Sequence, residues 1–180
     1  TKVWWKCEMG HEWVAEIKSR VAGVGCPFCS GHRVLKGFND LETLYPDLAK
    51  EWHSEKNGSL NPSAFTAGSD KKVWWKCEMG HEWEAAINER VRGRGCPFCS
   101  GRKVLKGYND LGTLRRDLLN QWNYEKNGDS MPSDFTLYSH KKVWWICGKG
   151  HEWVAEIASR SNGAGCPICA MERRRKYPHI

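Results

Sequence analysis

The sequence predicts a small α+β protein built from three tandem modules, each of which depends on a bound metal. The first observation is a long internal repeat: residues 2–36 recur as residues 72–106, and residues 142–169 repeat most of the same segment. The second is a fixed arrangement of cysteine and histidine in every copy. The third is an alternation of apolar and polar residues typical of a β-hairpin. Because Leu, Ile and Val are sparse among the 180 residues, a metal has to supply part of the folding free energy.

Each copy contains the pattern Cys-x3-His, fourteen further residues, and Cys-x2-Cys, which together use all nine cysteines of the chain. An odd number of cysteines argues against a disulfide framework. Three thiolates and one imidazole form the closed ligand set of a structural zinc site, whereas a catalytic zinc keeps one position open. A redox Cys-x2-Cys would not need the additional Cys and His at fixed positions. We therefore predict three structural Zn²⁺ ions, held by Cys7, His11, Cys26 and Cys29; by Cys77, His81, Cys96 and Cys99; and by Cys147, His151, Cys166 and Cys169.

The first half of each module is predicted to be a β-hairpin that ends in a metal-binding turn. Val3, Trp5 and Cys7 share one side of the first strand, and Gly10 allows the positive φ of a tight turn before the histidine. A glycine-rich loop then leads to Cys-Pro-x-Cys, where Pro27 favours the second turn. A hairpin with one such turn, followed by a second that enters a turn or short helix, is the plan of both treble-clef fingers and zinc ribbons. Both interpretations remain open here.

A spacer of helical character separates the modules. Asn39 and Asp40 are both candidate helix N-caps before Leu-x-x-Leu. Pro46 suits a first helical turn, and Asn57-Gly58 is predicted to end that helix. Leucines and a tryptophan at helical spacing are expected to pack the spacer on a finger. They are Leu41, Leu44, Leu48 and Trp52, with Leu111, Leu114, Leu118 and Trp122 as their equivalents. The predicted order is finger 1–36, spacer 37–71, finger 72–106, spacer 107–141, finger 142–169 and basic tail 170–180.

The tryptophans of the modules fall into two groups. Those two residues after the histidine ligand are predicted to be core residues: Trp13, Trp83 and Trp153. A second group faces the opposite side of the first strand, and consists of Trp4, Trp74 and Trp144. These rings either pack under the spacer or offer a stacking surface for nucleic-acid bases, and we favour packing.

Several short sequence motifs occur in the same order as in a known family. Val-Trp-Trp-Lys-Cys, Gly-His-Glu-Trp and Gly-Cys-Pro-Phe-Cys-Ser-Gly are joined by Asn-Asp-Leu and Glu-Lys-Asn-Gly in the spacer. From residue 2 to about residue 173, the chain resembles the zinc-ribbon (treble-clef type) tandem-repeat family of bacterial and phage proteins. Some members resemble proteins that carry a restriction-type nuclease domain beside the repeats. The resemblance implies zinc ligands at the twelve Cys and His positions and a DNA-targeting role in phage, mobile-element or defence systems, with a nuclease as attached domain or partner.

The charge of the chain also favours an anionic partner. The formal net charge is +7, and three Zn(Cys)3(His) sites, each with a net charge of −1, would reduce it to about +4. Basic residues recur at matched positions of the modules, in a loop of the second finger and in the tail. The candidate nucleic-acid contacts are Lys2, Arg20, Arg33, Lys72, Arg90, Arg92, Arg94, Lys103, Lys142, Arg160, Arg173, Arg174 and Arg175. Alternatively, Arg20 and its equivalents brace the loop by pairing with Glu16, Glu89 or Glu156.

These observations predict an intracellular array that binds nucleic acid, with duplex DNA favoured. A protein-interaction scaffold and an RNA or single-strand binder remain alternatives. We expect no enzymatic activity, because candidate catalytic groups do not recur: His53 is replaced by Asn123, and Glu51 by Gln121. No small-molecule substrate and no membrane association are expected, since no apolar run is long enough to span a bilayer. Nine thiols available for zinc fit a reducing, cytoplasmic location.

Overall fold

A computed structural model describes residues 1–176, so the last four residues of the predicted tail 170–180 lie outside the described residues. The chain divides into two compact units, Thr1–Cys96 and the part from Pro97 onward. Each unit contains a spacer that is followed by a β-hairpin, and the first unit begins with a further hairpin.

The elements of the first unit are β1 (Lys2–Lys6), β2 (Glu12–Glu16), α1 (Ile17–Val21), α2 (Leu41–Leu44), α3 (Pro46–Lys50), α4 (Ser54–Asn57), a 3-10 turn at Pro62–Ala64, β3 (Lys72–Lys76), β4 (Glu82–Ala86) and α5 (Ile87–Val91). Those of the second unit are α6 (Leu111–Leu114), a 3-10 segment at Arg116–Gln121, α7 (Tyr124–Asn127), a 3-10 turn at Pro132–Asp134, β5 (Lys142–Ile146), β6 (Glu152–Glu156), α8 (Ile157–Ser161) and α9 (Pro167–Lys176).

The three hairpins confirm the predicted α+β plan. In the first, β1 and β2 are antiparallel with Trp5 opposite Trp13, and the other two hairpins have the same register. Trp13 is buried, as are its equivalents in the other hairpins, while Val14 on the opposite face is exposed. Gly10 adopts the positive φ expected of it, +82°. The alternation in the sequence therefore sets which face of each hairpin becomes its small core.

A short helix follows each hairpin where the sequence analysis expected only a loop. Ile17 continues the apolar alternation of Trp13 and Ala15, which would extend the second strand, but it is the first residue of α1. The helix ends after one turn because Gly23 takes a φ of +86°, which L-residues with a side chain rarely adopt. This turn carries Arg20 back over the hairpin.

The helix predicted from Pro46 to Asn57 is divided into α3 and α4. Between them Trp52 forms an antiparallel bridge with Trp75 of β3, and the N–H of Lys76 donates to the carbonyl of Glu51 at 2.7 Å. The backbone leaves the helix here because it adds a short third strand to the edge of the next hairpin. Trp122 and Trp145 make the same bridge in the second unit.

The spacer also holds the finger that precedes it. Asp40 is the predicted N-cap of α2 and accepts from the N–H of Thr43 at 3.0 Å. Its neighbour Asn39 is not a cap: its side-chain amide donates to the carbonyls of Phe28 at 2.7 Å and Arg33 at 2.9 Å. Each spacer thus clamps one Cys-Pro-x-Cys turn and covers the next hairpin. Of the predicted apolar stripe, Leu41 and Trp52 are buried, whereas Leu44 is half exposed.

The third finger ends in a helix instead of the turn found in the other two. Gly31 and Gly101 have φ values of +73° and +69° and direct the chain away from a helical path. Met171 occupies the equivalent position, and the chain continues as α9, with Pro167 as its first residue. The predicted basic tail therefore begins inside a helix that carries its Arg and Lys residues in the last turns.

Candidate metal centres

Each candidate centre is assembled from two turns that lie far apart in the sequence. In the first finger the N–H of Gly10 donates to the carbonyl of Cys7 at 2.9 Å, and the N–H of Cys7 donates to the carbonyl of His11 at 3.1 Å. These bonds close a tight turn that points Cys7 and His11 in one direction. The Cys-Pro-x-Cys turn brings its two thiols to the same point from the opposite side. Clusters of four donor groups within 4.8 Å of one another form at all three predicted ligand sets.

The donor atoms of the first centre have the spacing of a zinc tetrahedron. Zn–S bonds of about 2.3 Å and Zn–N bonds of about 2.05 Å place tetrahedral ligand atoms about 3.8 Å (S···S) or about 3.6 Å (N···S) apart. The Sγ atoms of Cys7 and Cys29 lie 3.8 Å apart. His11 Nδ1 lies 3.3 Å from Cys29 Sγ and 3.7 Å from Cys26 Sγ. Three thiolates and Nδ1 of the histidine therefore fit a Zn²⁺ ion.

The other two centres have the same dimensions. In the third, the Sγ atoms of Cys147 and Cys169 are 3.8 Å apart, and His151 Nδ1 lies 3.3 Å from Cys169 Sγ. In the second, His81 Nδ1 lies 3.6 Å from Cys77 Sγ and 3.7 Å from Cys96 Sγ. Four protein ligands complete a tetrahedron and leave no position for a substrate or a reactive water. The ligand sets are therefore those of structural zinc ions.

The surroundings of the ligands fix the histidine ring and tune the thiols. In the third finger His151 Nε2 lies 3.5 Å from Glu172 Oε1, so a carboxylate faces the nitrogen that does not bind metal. Burial raises the pKa of Cys26, but hydrogen bonds from the backbone N–H groups of Cys29 and Phe28 outweigh it and lower this pKa to about 6. Burial and the neighbouring thiols raise the pKa of Cys29 to about 11. Zinc has to displace the proton of such a thiol, so zinc affinity falls as pH falls.

Two of the predicted nucleic-acid contacts, Arg90 and Arg160, instead lie inside their fingers, which corrects the sequence interpretation of these two residues, whereas their equivalent Arg20 is half-buried. Arg90 is 6% exposed, and its guanidinium carbon lies 5.1 Å and 5.2 Å from the ring centroids of Trp75 and Trp83. Arg160 is 3% exposed in the same setting, and Arg20 lies over the equivalent rings of the first finger. The buried guanidinium groups of Arg90 and Arg160 cannot reach a phosphate while their fingers stay folded.

These arginines brace the loop after the hairpin, although not through the acidic residues expected from the sequence. Arg20 Nη1 donates to the carbonyl of Val24 at 2.5 Å. Arg90 makes the same bond to its own loop and also donates to Glu51 Oε2 at 2.6 Å, in the preceding spacer. Arg160 donates to Gln121 Oε1 at 2.5 Å. The change from Glu51 to Gln121 therefore preserves a hydrogen-bond acceptor.

The other predicted contacts are exposed. They are Lys2, Arg33, Lys72, Arg92, Arg94, Lys103, Lys142, Arg173, Arg174 and Arg175. Of these, Arg94 pairs with Glu89 at 2.8 Å, and the guanidinium of Arg33 lies 5.7 Å from the ring centroid of Phe28. In the part of the chain that the structure describes, the lysines that open the three hairpins make no ion pair.

Sequence reasoning missed a polar network that joins each spacer to the next hairpin. His53 caps α4, and its Nε2 lies 2.9 Å from Glu82 Oε1. Asn123 caps α7 and donates to Glu152 Oε1 at 2.7 Å. The exchange of His for Asn therefore keeps both interactions. The recurring Glu-Lys-Asn-Gly motif could have indicated this network, because its lysine takes part in it. Lys56 Nζ lies 2.6 Å from Glu82 Oε2.

Fold and site together define a tandem zinc-finger protein, in which every finger holds one structural zinc ion through three cysteines and one histidine. Comparison with known families matches residues 1–32, 48–102 and 118–172 to the family described as a probable treble clef zinc finger domain. The chain belongs to this family, which confirms the predicted resemblance and favours the treble-clef interpretation. No curated protein matches the chain. None of the described helices is long and apolar enough to cross a membrane.

Proposed function

We propose that the chain is a zinc-dependent array that binds nucleic acid, with duplex DNA as the preferred form. One observation carries the proposal: cations that are exposed and free of ion pairs recur at the same place in every finger. Lys2, Lys72 and Lys142 open the first strand of the three hairpins. Arg33 and Lys103 follow the second cysteine turn of the first two fingers, and Arg173, Arg174 and Arg175 lie on α9 of the third. A cation with no protein partner is available to a phosphate, and binding then releases counterions from the nucleic acid.

The aromatic residues support duplex binding over the stacking of single-stranded bases. Lys56 Nζ lies 4.2 Å from the ring centroid of Trp74, and Lys126 Nζ lies 4.5 Å from that of Trp144. In the second and third fingers a lysine over the ring face blocks the surface that a base would need, whereas Trp4 of the first finger is exposed. Phosphate contacts therefore remain as the main mode of recognition, and these are the contacts that a duplex offers along its backbone.

We further propose that the array binds and does not catalyse. The side chains that looked like candidates for catalysis, His53 and Glu51, have structural partners in the finger that follows their spacer. If a reaction accompanies binding, a nuclease on an attached domain or a partner protein would supply it, as the family resemblance suggests. A reducing, intracellular location fits nine free cysteines that would serve as zinc ligands.

The test is a titration of the zinc-loaded chain with duplex DNA, single-stranded DNA and RNA of mixed sequence, at low and near-physiological salt. We expect duplex DNA to bind most tightly and the affinity to fall steeply with salt. Equal or tighter binding of RNA or single strands would transfer the proposal to those ligands. No binding at low salt would overturn it and favour a protein-interaction scaffold.

A charge-matched pair of variants assigns the contacts. Replacing Lys2, Lys72 and Lys142 together by Gln should weaken binding and reduce the slope of log K against log salt by about 3. The control replaces three exposed lysines that do not recur, Lys18, Lys50 and Lys149, by Gln. An equal loss in both variants would mean that only the overall charge matters, and that the recurring lysines are not contact residues.

A further inference from the structure

The three fingers share the strand sequence Val-Trp-Trp, but among the residues that the structure describes a spacer covers only two of these strands. The edges of β3 and β5 receive the spacer that precedes them, through the bridges of Trp52 with Trp75 and of Trp122 with Trp145. The register of β1 on β2 equals that of β3 on β4. The outer edge of β1 therefore presents the same backbone groups as β3, without a spacer over them.

The contacts on β3 define what such an edge accepts. The Trp52 ring packs edge-on against Trp75 with centroids 5.6 Å apart. The side chain of Asn57 accepts from the N–H of Trp74 and donates to its carbonyl, both at 2.8 Å. The N–H of His53 donates to the same carbonyl at 3.1 Å. The covering segment is thus a short strand that turns directly into a one-turn helix.

The second unit repeats this arrangement closely. The rings of Trp122 and Trp145 are 5.4 Å apart, and Asn127 makes both bonds to the backbone of Trp144 at 2.9 Å. The same spacer contacts thus occur on both β3 and β5. They depend on the strand sequence Val-Trp-Trp, which β1 also has.

Without a spacer, the first finger leaves apolar surface open. Ile17 is 46% exposed, whereas Ile87 and Ile157 at the same position are fully buried. Trp4 is 74% exposed, and Trp5 is partly exposed, although Trp75 is fully buried. Ile17 and Trp5, whose equivalents are core residues in the other two fingers, are therefore accessible in the first finger, and together with Trp4 on the opposite face they flank the open strand edge as a patch.

A polar group of the first finger also lacks its partner. Arg90 and Arg160 each donate Nη2 to an acceptor at the position before the spacer tryptophan, Glu51 and Gln121. Arg20 has the same bond to its loop, but among the described residues no acceptor meets its Nη2. Within the described part of the chain, the patch therefore has an unpaired strand edge, an exposed apolar surface and a guanidinium Nη2 without an acceptor. In the other two fingers a spacer covers or pairs all three.

We propose that this patch, formed by Trp4, Trp5, Ile17, Arg20 and the β1 edge, is a docking site for a polypeptide segment outside residues 1–180. The segment has the chemistry of the spacers: Glu or Gln, then Trp, then His or Asn, leading into a short helix that ends in Asn-Gly. A second copy of the chain is a poor occupant, because both of its spacers already cover fingers of their own unit. A segment could dock here whether or not the chain binds nucleic acid.

The experiment uses the zinc-loaded chain and a fluorescently labelled synthetic peptide with the sequence of residues 37–71. We expect saturable binding of one peptide per chain, measured by fluorescence anisotropy. Ile17→Glu should weaken binding about tenfold or more, since docking would bury a carboxylate in an apolar contact. Because Ile17 is exposed in the free finger, the variant should fold, and zinc content with near-UV circular dichroism would verify this.

Val24→Glu is the matched control, because position 24 is exposed in the first finger and its equivalents Arg94 and Ala164 are exposed in the others. This variant should bind the peptide normally, whereas a peptide with Trp52→Ala should fail to bind the unaltered chain. Absence of peptide binding, or binding that Ile17→Glu leaves unchanged, would overturn the proposal. Dimerisation of the chain alone that Ile17→Glu abolishes would also overturn it, because a second copy would then be the occupant.

Discussion

In the second finger, the guanidinium of Arg90 lies between Trp75 and Trp83 and also bonds Glu51 of the spacer. One side chain thus fills the space between two indoles, closes the loop after α5 and ties the spacer to the hairpin. A planar, permanently charged group suits this position, because it stacks on both rings while its nitrogens donate at the edge. Lysine would keep the charge but lose the stacking and one of the two hydrogen bonds.

We expect Arg90→Ala to destabilise the finger by about 2 to 4 kcal/mol, from lost cation–π contacts, lost hydrogen bonds and a carboxylate left without its partner. Arg90→Lys should recover only part of this loss. The measurement is thermal or denaturant unfolding of the zinc-loaded protein.

The exposed neighbour Arg92 provides the control, and Arg92→Ala should change the free energy of unfolding by less than about 0.5 kcal/mol. Equal effects of the two substitutions would show that Arg90 has no bracing role.

The sequence could predict all twelve metal ligands, because residue type and spacing alone define a zinc site. It could not separate a bracing arginine from a phosphate contact, since both functions place a cation at the same point of every repeat. The distinguishing signal lay elsewhere in the chain, in Glu51 and Gln121, whose shared property is an acceptor oxygen. Only the packing of the spacer on the hairpin connects that position with Arg90.

At the level of elements, local chemistry was predictable and long-range pairing was not. Asp40 caps α2 as expected, because capping depends on residues a few positions apart. The break between α3 and α4 was missed, because it depends on a bridge from Trp52 to Trp75, a strand residue far along the chain. The helix α9 was missed because it follows from the loss of a glycine, with Met171 where Gly31 and Gly101 turn the chain.

Replacing Gly31 by Ala tests that turn. We expect a loss of about 1 kcal/mol in the first finger, because φ is +73° and no atom lies close enough to make a clash the cause. Gly25→Ala is the control, since Gly25 has equal space around it but no positive φ. Unfolding of the zinc-loaded variants measures the difference, and equal stability of the two would contradict the conformational explanation.

The Glu82 carboxylate, which joins the spacer to the hairpin, is expected to stay ionised above about pH 5. Hydrogen bonds from Lys56 and His53 lower the pKa of Glu82 to about 2. A carboxyl whose pKa is lowered on folding adds stability above its unfolded pKa of about 4.5, and this stability is lost as pH falls toward the folded pKa.

Glu82→Gln should therefore lower the melting temperature of the zinc-loaded protein at both pH 5.5 and pH 8, because the substitution removes a carboxylate that is ionised at both values. Glu84→Gln, on the exposed face of the same strand, should leave the melting temperature unchanged at these pH values. A melting temperature that Glu82→Gln leaves unchanged at both pH values would rule out a stabilising carboxylate between spacer and hairpin.

On the scale of the whole molecule, the apolar cores are too small to hold the fingers without metal. In the second unit one cluster gathers residues of the spacer and the third hairpin, among them Leu118, Trp122, Trp145 and Ile157, and it includes the zinc ligand Cys166. The ligands are therefore part of the core itself, and the free energy of zinc binding is also free energy of folding.

We expect the chain to bind three zinc ions and to lose its near-UV circular dichroism when a strong chelator removes them, since buried tryptophans report the packing of every finger. Zinc binding of about 10 to 16 kcal/mol per site exceeds the stability that such cores supply, so the fingers should unfold without zinc.

Cys29→Ser should reduce the zinc content to two per chain and unfold only the first finger. Cys29 is exposed, so lost packing would not explain this result, and Ser30→Ala beside it should retain three ions. A chelated protein with unchanged near-UV dichroism would show that the ligand clusters are not structural zinc sites.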